Sequence, residues 1–158
     1  MKKAIFLVVP LIALLIFAVF FKSQLPILKV YAGPADAMGN DIVFVEVWQY
    51  DGETWILKAN FTSEGQDKLD ENQQVRFIVC IKYNATLASS ESEAIQYTRV
   101  YMNITYNSNI IWQNKELNNT SCTLANGFYW LKEQGDWNSN LPQQGITYNV
   151  KVLYQSYW

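Results

Sequence analysis

The two runs IVFVEVWQY, residues 42–50, and WILKANF, residues 55–61, meet at Asp51-Gly52 and decide the fold class of this chain. A strand turns successive side chains to opposite faces, so a half-buried strand reads with a period of two. In the second run Trp55, Leu57, Ala59 and Phe61 fall on one face, and Ile56, Lys58 and Asn60 on the other. The first run is built from Val, Ile, Phe, Trp and Tyr, which fit a pleated surface. Asp-Gly between two such runs is a type I′ hairpin signal.

The same period recurs along the chain. Residues 75–83 place Phe77, Val79 and Ile81 inward, with Arg76, Cys80 and Lys82 outward. Residues 96–106 place Val100, Met102 and Ile104 inward, with Arg99, Tyr101, Asn103 and Thr105 outward. Residues 146–157 turn Tyr148, Val150, Val152 and Tyr154 inward, and residues 110–113 and 128–132 read as shorter strands. About seven strands with no convincing helix predict an all-β, antiparallel two-sheet sandwich of immunoglobulin-like topology. Residues 63–74 are polar with room for a helical turn, and 85–94, 114–126 and 132–145 read as loops.

Ahead of these strands, Lys2 and Lys3 precede an unbroken apolar run, residues 4–21, closed by Lys22. As a helix the run spans roughly 27 Å, close to the hydrocarbon thickness of a bilayer. Residues 1–22 therefore read as an N-terminal hydrophobic helix, either a membrane anchor or a signal segment, with the lysines favouring a cytoplasmic N-terminus. Lys3-Ala4 before an apolar helix also resembles archaeal pilin leaders, from which Phe6 departs. Residues 23–41 read as a linker punctuated by Pro26, Gly33, Pro34 and Gly39, in which residues 24–31 have strand character. Residues 42–158 form the expected extracellular domain.

Composition narrows function by exclusion. The chain of 158 residues has no histidine, which removes the usual general base, the Ser–His and Cys–His nucleophile pairs and the commonest metal ligand. The reading is non-catalytic, with no cofactor and no metal site. A net charge of -2 gives no electrostatic reason for a nucleic-acid partner. Asp67, Asp70 and Glu71 cluster without calcium-loop spacing and read as solvated charge, while Glu46 interrupts the face of Phe44, Trp48 and Tyr50.

Motifs point outside the cell. Asn-X-Ser/Thr occurs at Asn60, Asn84, Asn103, Asn118 and Asn119, the last two overlapping. Half of the 8 threonines follow an asparagine by two positions, whereas chance gives about 0.7 such triplets, so the pattern favours glycosylation in an exported chain. Cys80 and Cys122, the only cysteines, are expected to form a disulfide tying a loop to the sheet exterior. Among 6 tryptophans and 10 tyrosines, Trp48, Tyr50, Trp112, Trp137 and Trp158 fall on no clear core face and are the candidate sugar contacts.

These observations predict a glycosylated surface or secreted protein with a structural, adhesive or envelope-assembly role. Its partners would be the membrane through residues 4–21, other surface proteins or copies of itself. Filament assembly through the N-terminal segment and carbohydrate binding are the alternatives. The Asn-, Gln- and Tyr-rich β domain resembles archaeal surface proteins, including sandwich domains that contact a surface layer.

Overall fold

Alternation between apolar and polar side chains builds ten strands in the computed structural model, which describes residues 25–32, 41–137 and 142–156. In chain order they are β1 (Ile27–Ala32), β2 (Asp41–Tyr50), β3 (Trp55–Phe61), β4 (Gly65–Lys68) and β5 (Gln74–Asn84), then helix α1 (Glu91–Tyr97). β6 (Thr98–Tyr106), β7 (Asn109–Glu116), β8 (Asn118–Ala125), β9 (Phe128–Trp137) and β10 (Thr147–Ser156) follow. Two five-stranded sheets result, ordered β4-β1-β10-β6-β7 and β3-β2-β5-β9-β8. Every pairing is antiparallel except that of β1 with β10.

One core lies between the sheets. β5 contributes Val75, Phe77, Val79, Ile81 and Tyr83, all at 0% exposure, and β6 contributes Val100, Met102 and Ile104. Leu28 and Val30 of β1 and Tyr148, Val150 and Val152 of β10 face them. Each fully buried large aliphatic side chain stabilises the fold by about 1.5–3 kcal/mol relative to exposure. Trp137 stacks edge-on against Tyr148 at 4.9 Å between ring centroids, and Trp112 against Phe77 at 6.0 Å. A Cβ on Gly135 would approach Leu117 Cδ2 to 2.5 Å, so any larger residue there requires that leucine to shift.

Several expectations are corrected. The strand order is not that of immunoglobulin domains: the last strand, β10, is central and pairs with β1 and β6, while β9 belongs to the other sheet. The hairpin after β2 is a four-residue loop, because Tyr50 pairs with Trp55, and the Asp51 carboxylate accepts from the Glu53 and Thr54 amides at 2.9 and 2.8 Å. Residues 114–126 carry β8 and not a loop. A helix occupies Glu91–Tyr97, where Ser90 caps the Glu93 amide at 3.2 Å and Glu93 bonds back to Ser89. The N-terminal hydrophobic segment and Trp158 lie outside the described residues. No helix of the described residues is long and apolar enough to cross a membrane.

β3 carries the most consequential correction. Val47 pairs with Ala59, but Trp48 pairs with Leu57, leaving Lys58 as the extra residue of a bulge. Ala59 and Phe61 keep the inward phase of Val47 and Val45, whereas Leu57 and Trp55 turn outward beside Trp48 and Tyr50. Lys58 reaches an ion pair with Asp70. Asp70 is also held by buried Gln49, whose Nε2 donates to the Asp70 carbonyl at 2.8 Å and whose Oε1 accepts from the Asp70 amide at 2.7 Å. This side chain at 0% exposure stands in for a backbone partner.

Replacing Gln49 by Leu leaves the half-buried Asp70 amide and carbonyl without these bonds. We expect a loss of about 1–3 kcal/mol in denaturant unfolding. An unchanged midpoint would show that water replaces the side chain.

Candidate binding face and glycan sites

The outward residues of the second sheet form one continuous face, because opposed residues of an antiparallel pair share a side. Trp48 of β2, Trp55 and Leu57 of β3, and Arg76 of β5 meet at one end, next to Tyr50. The Tyr50 and Trp55 rings lie 5.5 Å apart at 49°, and the Arg76 guanidinium sits 4.0 Å from the Trp55 ring centroid. Asp136 of β9 holds Arg76 in a bidentate pair at 2.7 and 2.8 Å, and Gln134 donates to Asp136 at 3.1 Å. The Asp136 bond raises the Arg76 pKa further, so this charge is fixed. Trp48 Nε1 donates to Glu46 at 3.0 Å, while Leu57 stays 43% exposed.

Flat apolar rings beside a guanidinium, a carboxylate and an amide offer a sugar both stacking surfaces and partners for its hydroxyls. Of the aromatics singled out in the sequence, the structure brings together Trp48 and Tyr50. Trp112 and Trp137 pack into the core and are corrected as sugar contacts. The sequence reading missed Trp55, which the bulge turns outward, and the Arg76–Asp136 pair, whose partners lie 60 residues apart.

The glycan candidates distribute unevenly. Asn60, Glu46, Ile78, Gln134 and Asn118 form a single cross-strand row on this face, with Asn60 and Asn118 exposed on the two edge strands. Four inter-strand gaps put their backbones roughly 19 Å apart. Asn84 ends β5 on the same face, opposite Phe128, and its Oδ1 accepts from the Thr86 amide and hydroxyl at 3.0 and 2.9 Å. Asn103 lies on the outer face of the first sheet and accepts from the Asn114 amide. Asn119 differs: the register shifts between it and Ser121, so it pairs with Glu133 on the inner side. Its Nδ2, the atom a glycan would bond, donates to Glu133 at 3.2 Å and to the Ser121 carbonyl at 3.3 Å.

The expected disulfide is not formed, and both cysteines are free. Cys122 pairs with Leu131 on the inner side of the second sheet, while Cys80 pairs with Phe44 and Lys132 on the outer side. Their Cβ vectors point to opposite faces, which no S–S bond spans without backbone movement. Cys80 is outward as expected, yet only 1% exposed. The Lys132 ammonium, 5.7 Å from the Phe44 ring, crosses β5 and closes over it. Burial pushes both thiols up to about 11, which keeps them protonated and poor nucleophiles at neutral pH.

A second feature lies where the chain crosses between sheets. Thr98, Arg99, Glu116, Asn119 and Glu133 line a cleft of about 180 Å³. Arg99 pairs with Glu116 at 2.9 Å and also donates to the Ile95, Gln96 and Thr98 carbonyls at the end of α1. Glu133, 4% exposed, is raised to about 7 by burial, against the Asn119 bond and the Arg99 charge. No group of three or more His, Cys, Asp or Glu among the described residues is placed to hold a metal ion.

In comparisons with known proteins, no family model, no curated protein and no solved structure matches this chain.

Without any reductant, Cys80 should become alkylated only on unfolding and Cys122 slowly in the native state. Protection that survives denaturation and yields to reductant would overturn the free-thiol assignment.

Glu133 also sets a pH dependence. The folded protein holds this proton up to about 7 and the unfolded chain releases it near 4.5, so the folded state binds more protons between those values. Stability therefore falls as pH rises through that window and levels above it. Glu133→Gln should gain on the parent by on the order of 5 °C in melting temperature between pH 4.5 and 8. Parallel curves would contradict a buried, protonated Glu133.

Proposed function

We propose that this chain is a non-catalytic, glycosylated protein of the cell surface, exported through residues 4–21 and serving adhesion or envelope assembly. The placement of Asn60, Asn84 and Asn118 on one outer sheet face supports this reading best. Glycans carried there are attached to rigid strands, two of them at the ends of a shared row. A bulky sugar at these positions displaces no core side chain. The aromatic and Arg76 cluster lies on the same face, on the far side of the Asn60–Asn118 row from Asn84, and suits contact with carbohydrate or with a neighbouring surface protein.

A second reading, a filament subunit, is favoured by the position of β1. This strand follows the hydrophobic segment, lies between β10 and β4, and buries Leu28 and Val30. The same strand supplied by another copy would complete a neighbour's sheet by strand addition.

Mass spectrometry of natively produced protein should find sugar on Asn60 and Asn118, and none on Asn119, whose amide is engaged with Glu133. Bare asparagines throughout would remove the glycoprotein reading. A ladder of high-mass species in native gels would select the filament over the monomeric adhesive protein.

A further inference from the structure

We propose that the aromatic end of the outer face is the docking surface of the chain's own Asn60-linked glycan, which lies along the sheet instead of projecting from it. The inference rests on Asn60 being glycosylated. From that asparagine, Trp48 is the diagonal neighbour on β2, roughly 7–8 Å away across the pair with Glu46. Tyr50 and Trp55 form the next level along the same direction, another roughly 7 Å on. Each linked pyranose adds somewhat less than one such step, so the first sugars meet Trp48 and Leu57, and the following ones reach the Tyr50–Trp55 rings.

The surface there is composed for that occupant. The β3 bulge turns Trp55 and Leu57 outward, where they widen the apolar floor beside Trp48. Arg76 and Asp136, locked to each other, present a fixed donor and acceptor at the floor's margin. Glu46, the row partner next to Asn60, accepts from Trp48 Nε1 at 3.0 Å, which holds its carboxylate beside the indole at the start of the path.

Tethering decides between this occupant and free sugar. Two rings and a few polar groups hold a free monosaccharide only at about the millimolar level. A sugar linked within the same face experiences an effective concentration of that order or higher. The attached glycan therefore occupies the face under conditions in which dissolved sugar leaves it empty.

The test uses native protein whose Asn60 glycan has been verified by mass spectrometry. Sugar ring protons stacked on indole or phenol faces should move upfield in its NMR spectrum, with cross-peaks to Trp48, Tyr50 or Trp55. Thr62→Ala, which removes the sequon and spares Asn60, should abolish these shifts and lower the melting temperature by about 3 °C. In a Tyr50→Ala background the same loss of glycan should change the melting temperature by less than half as much. Glycosylated Asn60 with unshifted, freely tumbling sugar signals overturns the docking and leaves the glycoprotein reading standing. Equal glycan effects in both backgrounds also overturn it. Absence of sugar at Asn60 with sugar at other sequons overturns the docking alone, and bare asparagines throughout overturn the glycoprotein reading with it.

Discussion

Strict alternation along β5 is the constraint on which the rest of the molecule depends. It is the central strand of the second sheet, and its inward side chains Val75, Phe77, Val79, Ile81 and Tyr83 are all fully buried. The intervening residues Arg76, Ile78, Cys80, Lys82 and Asn84 form the spine of the outer face. A slip of one residue would exchange these sets, placing a guanidinium and an ammonium in the core. Core and outer face are thus two readings of one pattern. The charge pair Arg76–Asp136 exists because β9 is pinned to β5 by the inward stacking of Phe77, Ile81 and Leu131.

This period is what made the fold class legible in the sequence. The inward sets of β5, β6 and β10 were read correctly, since long strands buried on one side leave a clear pattern. β8 was hidden because its Asn-Asn-Thr-Ser-Cys-Thr stretch is an edge strand, largely exposed and held by β9 alone. α1 does carry a signal in the sequence: Ser90 followed three residues later by Glu93 is a helix-start pattern. The strand order could not be read from periodicity, which says which side of a strand is buried and nothing about its neighbours.

The candidate site was legible only in part, for a local reason. Asn60 was placed outward correctly, but the Lys58 bulge reverses the phase two residues earlier and delivers Trp55 to the same side as Asn60. Bulges leave no signature in an alternating run, so a face assigned from one end is wrong at the other. The Cys80–Cys122 expectation failed similarly. Spacing and compartment argue for pairing, while the register puts the two sulfurs on opposite sides of one sheet. Trp112 looked unassigned because the run 110–113 is too short to show which face is inward, and Trp137 because β9 extends beyond the run 128–132; Trp137 is a core residue and half-buried Trp112 packs against the core.

The parallel pairing of β1 with β10 joins residues 120 positions apart, Ile27 to Thr147. During synthesis, at about 5–20 residues per second, that partner emerges several seconds after β1. Until then β1 and β4 can pair only with each other, and nothing joins that pair to β6 and β7. The first sheet therefore closes last, in a single event that waits for the C-terminal strand. A nascent chain stalled before that moment presents a sticky strand and a matching vacancy together, so crowding of unfinished copies becomes a hazard set by topology and not by composition.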